Sequence, residues 1–175
     1  MKNFVHICLI FLLLSPIRLC ANDYYYILND KCINDLYNMS IEDFAGTGIE
    51  SIKDSRGLML RYVFEDLVKE YYNPDIKTYK LIEDFLAKIE NPVIIEVHVK
   101  NLLDDKFISL KNWEISTIMA NNIEVTITRP LGRVDQSRIN SVGYGEFLPA
   151  KNTPNNGSKF LNRVDIIILC NISGE

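Results

Sequence analysis

His98 is the one histidine beyond the first 21 residues, and it sits between two apolar side chains in Val97-His98-Val99. An acid–base or metal site built on it needs partners at fitting spacing, and the sequence identifies none. A packed or hydrogen-bonded histidine at a strand end is the expectation, with no metal ligand assigned and no cofactor. Glu65-Asp66 and Asp104-Asp105 are adjacent carboxylates. Neighbours on a strand or loop point apart, so both pairs read as solvated surface rather than as a catalytic acid and base. The sequence carries neither a nucleophile elbow nor a glycine-rich phosphate loop, and it has no metal-spaced Cys/His cluster. The expectation is a protein that is not an enzyme.

The chain has 175 residues, 47% hydrophobic and 24% charged, with a formal charge of −4. That is the composition of one globular core, and it argues against fibrous, low-complexity and disordered classes. No basic excess exists to attract nucleic acid. Residues 1–21 combine Lys2, an apolar run from Phe4 to Leu14, and the helix-breaking Ser15-Pro16. A run of about 11 residues is short of the roughly 20 that span a membrane, so the segment reads as a secretory signal peptide cleaved after Ala21. No transmembrane helix is expected after cleavage. The alternative is a lipoprotein modified at Cys20, although Ile17-Arg18-Leu19 places a charge and bulky side chains where a lipobox has small ones. Of the 19 Lys and Arg, Lys2 and Arg18 go with the leader, and the remaining 17 face 23 acids, a charge of −6.

Two cysteines then remain, Cys32 and Cys170. In an oxidising compartment they form the candidate disulfide, and so long a loop gains roughly 4–5 kcal/mol in a chain-entropy treatment. Two unrelated buried thiols are the other reading.

Residues 22–55 form an aromatic and acidic lead-in, with Tyr24-Tyr25-Tyr26 as a docking strip or an edge strand. From Leu58 to Phe64 the pattern predicts a strand. Asn73-Pro74-Asp75 opens a helix with Asn73 as cap, and Ile76, Tyr79, Ile82, Phe85, Leu86 and Ile89 share its apolar face. Pro92 to Val99 is a strand, with Val93, Ile95, Val97 and Val99 on one face and Ile94, Glu96 and His98 on the other. Asn101 to Lys111 is a charged loop. A second helix begins near Trp113, turning Ile115, Ile118, Met119 and Ile123 inward, and weakens over the β-branched Glu124 to Thr128. Trp113 reads as a core anchor. Strands follow over Arg138 to Tyr144 and Arg163 to Cys170, separated by the Lys151 to Ser158 loop. The order β-α-β-α-β-β predicts a two-layer α/β sandwich, with two helices on one face of a mixed sheet.

Four segments, in this order, resemble the OmpA-like domain family, whose members hold peptidoglycan. Ile94-Ile95-Glu96-Val97-His98 is similar to the family strand ending Glu-Gly-His-Thr-Asp, and Asn112-Trp113-Glu114-Ile115-Ser116 to its Asn-Trp-Glu-Leu-Ser helix start. Val134-Asp135-Gln136-Ser137-Arg138-Ile139-Asn140-Ser141-Val142-Gly143-Tyr144-Gly145-Glu146 resembles Val-Asp-Pro-Ser-Arg-Leu…Val-Gly-Tyr-Gly-Glu, and Asn162-Arg163-Val164-Asp165-Ile166 the closing Arg-Arg-Val-Glu-Ile. The resemblance covers residues 56–170 and implies an OmpA-like domain over 56–172.

It also implies a site for the zwitterionic end of a stem peptide, built from an Asp for the ammonium and an Arg for the carboxylate. Here those positions hold Lys100 and Met119, and the first Arg of the closing motif is Asn162. Lys100, Asn101, Met119 and Arg163 are therefore the expected remnant of a peptidoglycan pocket, re-tuned to a different stem residue. The implied protein is periplasmic or outer-membrane associated, with peptidoglycan or an envelope protein as partner. The alternative is an interaction or assembly module that keeps the fold without the ligand.

Overall fold

The computed structural model describes residues 30–65, 67–100, 110–129, 132–147 and 162–170. The leader with Cys20, Tyr24-Tyr25-Tyr26, Asn101, Asp104-Asp105 and the Lys151 to Ser158 loop lie outside these residues.

The chain enters on a helix over residues 30–43, α1. Ile33, Leu36 and Ser40, with Phe44 just beyond, fall at helical spacing and are buried together. Gly46 and Gly48, both at positive φ, turn it into strand β1, Ile49–Asp54. β2 is Gly57–Val63, followed by a short helix α2, Leu67–Tyr72, and by α3, Ile76–Leu86. The remaining elements are β3, Val93–His98; α4, Asn112–Thr128; β4, Ile139–Gly143; and β5, Arg163–Leu169. The sequence reading assigned no element to α1, β1 or α2. β1 and α2 are short and mixed in pattern, and the helical spacing of α1 includes a serine, Ser40, that does not read as core.

The sheet has five strands in the order β1-β2-β5-β3-β4, antiparallel except for β3 and β4. The parallel pair is joined through α4, as a parallel crossover requires. This is the expected mixed sheet with helices packed against it. Leu58 and Leu60 of β2, Val93, Ile95 and Val97 of β3, and Val164, Ile166 and Ile168 of β5 share one core with Tyr79, Ile82, Phe85, Ile115 and Ile123.

Four local expectations change. The cap of α3 is Asp75, whose Oδ1 accepts from the Lys77 and Thr78 amides, rather than Asn73; the helix also stops at Leu86, short of Ile89. α4 continues to Thr128 through its β-branched end. Ile123 and Ile127 are buried there, and the Thr126 and Thr128 hydroxyls donate back to the Asn122 and Glu124 carbonyls, so packing overrides propensity. Ile118, expected inward, is 37% exposed.

Both ends of the domain are tied by a disulfide between Cys32 in α1 and Cys170 after β5, which closes a sequence separation of 138. Among the described residues, no helix is long and apolar enough to cross a membrane.

Candidate binding site

Met119 and Arg163 fall on different sides of the sheet. Met119 lies on α4, 3% exposed, beside a cavity among the helices. Arg163 opens β5 opposite Val63 and His98, and strand alternation sets it with Asp165 on the face away from Val164 and Ile166. The structure does not bring these two side chains together. Lys100 is exposed just past β3, and its backbone N–H donates to Asn162 Oδ1 at 2.7 Å. Trp113 is 48% exposed on the first turn of α4 and is not a core anchor.

The face that carries Arg163 holds a buried charge network. Arg61 forks onto Asp165, Nε to Oδ1 at 2.7 Å and the second nitrogen to Oδ2 at 2.9 Å. Arg163 Nε donates to the same Oδ2 at 2.8 Å. Burial pushes the Asp165 carboxyl up, but the Arg61 hydrogen bond and the charges of Arg163 and Arg61 outweigh it, leaving it below the usual carboxylate range. Burial lowers the Arg163 guanidinium. Nearby, Arg56 donates to Glu96 Oε1 at 2.8 Å and to Asp54 Oδ1 at 2.9 Å. Three guanidiniums thus meet three carboxylates.

His98 is enclosed in this network, 1% exposed, its ring stacked on Tyr144 with centroids 5.2 Å apart and planes 11° from parallel. Its Nε2 stands 3.8 Å from both Glu96 Oε2 and Asp165 Oδ2. Glu96, His98 and Asp165 offer ligand atoms within 4.8 Å of one another. The set nevertheless suits a cation poorly. Asp165 already accepts three hydrogen bonds from two arginines, and a divalent ion would bring two further positive charges beside their guanidiniums. The network is better suited to joining β2, β5 and β3 than to chemistry.

The long resembling block at Val134 to Glu146 also turns out to be architectural. Asp135 accepts from the Ser137 amide and hydroxyl, forming the turn before β4. Arg138 donates to the carbonyls of Leu86 at 2.6 Å and Asn91 at 2.7 Å, satisfying the end of α3. Gly143 is required because a Cβ there would stand 2.2 Å from the Thr117 amide nitrogen of α4. The Gly145 amide donates to Ser116 Oγ at 2.9 Å, while Tyr144 and Gly145 bond the backbone of Val97 and Val99. These contacts set the start of α4 against the end of β3.

On the helical side, α2, the start of α3 and the middle of α4 line a half-open cavity of ≈ 290 Å³. Glu70, Tyr71, Tyr72, Tyr79, Met119 and Asn122 contribute to its lining. Glu70 is 6% exposed and accepts from the Tyr79 hydroxyl at 2.7 Å. Burial holds the Glu70 carboxyl above its usual range against the Tyr79 hydrogen bond. The Tyr62 phenol is pushed up to about 12 by burial and then by the Glu70 charge. The sequence signals neither Glu70 nor this cavity, because α2 has no legible pattern and Tyr79 reads simply as part of an apolar helix face. The glycine lock and capping arginine do have a signal, in the Val134 to Glu146 block.

This architecture, with its α4 crossover between β3 and the parallel edge strand β4, is the OmpA-like fold. Among solved structures the chain is similar to a MotB-like protein from Desulfovibrio vulgaris, at 16% identity and a TM-score of 0.63, covering 84% of this chain and 97% of that one. It is also similar to the cell wall anchor of the T6SS from Pseudomonas aeruginosa, at 15% identity and a TM-score of 0.59, covering 77% and 96%. An outer membrane protein from Borrelia burgdorferi B31 matches at 22% identity and a TM-score of 0.51, covering 69% and 96%. At these identities the likeness is one of fold. No family model matches the chain, and no curated protein does.

Proposed function

We propose that this is an exported, non-enzymatic envelope protein that associates with peptidoglycan through a divergent pocket. The observation that carries the reading is the fold: the chain covers nearly the whole of a solved cell wall anchor. The Cys32–Cys170 disulfide supports an oxidising compartment, consistent with the leader read at residues 1–21 and with a periplasmic place. The pocket is divergent because Lys100 would repel an ammonium and Met119 cannot pair with a carboxylate. Losing two charged contacts, each worth roughly 1.5–3 kcal/mol, would leave little of the family's usual affinity.

Co-sedimentation of the purified protein with peptidoglycan sacculi tests this. Sacculi of the source organism and sacculi with diaminopimelate stems are run side by side. Pelleting with the source wall alone supports a re-tuned pocket, and pelleting with both supports ordinary recognition at this fold. Pelleting with neither leaves the second reading, a protein-interaction module. That reading is favoured by the separation of Met119 from Arg163 and by the exposure of Trp113 and Phe147, 48% and 72%.

A further inference from the structure

The cavity among the helices contains a carboxylate in a setting that structural packing alone does not explain. Glu70 is the only charged side chain in the described lining of the ≈ 290 Å³ space. Among the described residues it accepts the Tyr79 hydroxyl at 2.7 Å, with the Tyr62 phenol and the Asp75 amide facing it, and no Lys or Arg pairs with it. Buried carboxylates ordinarily have a cation or a metal as partner. Around it stand Tyr71, Tyr72 and Tyr79, with Pro74 and Met119 completing an apolar wall. Tyrosine rings offer faces to a cation, and the carboxylate supplies the charge-assisted hydrogen bond that the ring faces cannot. The volume lies at the small end of ligand sites, suited to one side chain or headgroup rather than to a cofactor.

We propose that this cavity binds a primary alkylammonium group, with Glu70 receiving the ammonium and Tyr71, Tyr72 and Met119 holding the alkyl chain. The described lining offers no cation for a carboxylate beside that ammonium, its only charged side chain being Glu70. The ligand is therefore an ω-amino chain end rather than a zwitterion. The cavity itself argues for the amine; as to its source, the inference rests on the wall-association reading, in which the amine ends a stem peptide.

The test uses the purified protein, with amide NMR shifts read on titration with n-pentylammonium, n-pentanol or diaminopimelate. Saturable shifts at Glu70, Tyr79 and Asn122 are expected with pentylammonium, at least tenfold weaker with pentanol and with diaminopimelate. Glu70→Gln should weaken pentylammonium binding at least tenfold. Asn122→Lys, at an exposed position on the rim, should supply an internal ammonium and block the site without touching the core. Equal binding of pentanol, equal binding of diaminopimelate, or indifference to both substitutions would overturn the proposal, as would the absence of any shift. Sacculus pelleting by the same variants separates the two readings. A wild-type protein that pellets but takes no amine has a wall site elsewhere. One that takes the amine but does not pellet has this cavity without wall association.

Discussion

Asn162 Oδ1 accepts the backbone N–H of Lys100 at 2.7 Å, so two positions at which this chain departs from the OmpA-like pattern are bonded to each other. The bond ties the chain leaving β3 to the residue entering β5. It uses the amide of residue 100 and is indifferent to its side chain. Asn162→Ala should cost about 0.5–1.5 kcal/mol in denaturant unfolding and remove hydrogen-exchange protection at the Lys100 amide. Lys100→Glu should stay within about 0.5 kcal/mol of the parent. A large loss from the lysine substitution would mean that its side chain has a structural role.

Asp165 is the anion shared by Arg61 and Arg163. Asp165→Asn removes the anion that two buried guanidiniums share, and about 3–5 kcal/mol of stability should be lost. Because its folded pKa lies below the unfolded value, the aspartate contributes stability above the ordinary carboxylate range and loses it as pH falls through the folded value. Unfolding titrations below pH 4 should therefore be steeper for the parent than for the variant.

Glu70 has the opposite sign. Its folded pKa lies above the unfolded one, so the native state holds the extra proton between them and stability falls as pH rises through that window. Burial sets that shift, and the Asp75 charge adds to it, against the Tyr79 hydrogen bond and the other donors that face the carboxyl. Glu70→Gln should flatten the decline above the ordinary glutamate value while the fold is retained. A variant with the parent's slope would show that another group titrates there.

Reduction of Cys32–Cys170, or Cys32→Ser, removes a cross-link over a sequence separation of 138. Roughly 4–5 kcal/mol of unfolding free energy should go with it on chain-entropy grounds. Equilibrium unfolding with and without reductant measures the difference directly.

Gly143→Ala forces a Cβ to within 2.2 Å of the Thr117 nitrogen. Backbone cannot yield as a flexible side chain can, so the loss should reach about 3 kcal/mol or more. A near-neutral result by thermal unfolding would mean that α4 sits further from β4.

Much of the fold was legible because the core elements have strong periods. The alternation of Val93, Ile95 and Val97, the helical spacing from Ile76 to Leu86 and the apolar run from Arg163 each identify an element from composition alone. The Val134 to Glu146 block identified the fold by resemblance, and the structure gives its residues architectural duties, Arg138 capping α3 and Gly143 admitting α4.

What the sequence alone could not determine is anything that depends on residues distant in the chain. β1 is held by pairing with β2, α1 by burial and by Cys170, and Glu96 and His98 of β3 are buried although they are polar. The partition of Met119 and Arg163 between opposite sides of the sheet, and the enclosure of Glu70 among tyrosines, follow the same rule. Periodicity and local capping are written in neighbouring residues. Burial of a charge, and what shares its cavity, are decided only when separate segments meet.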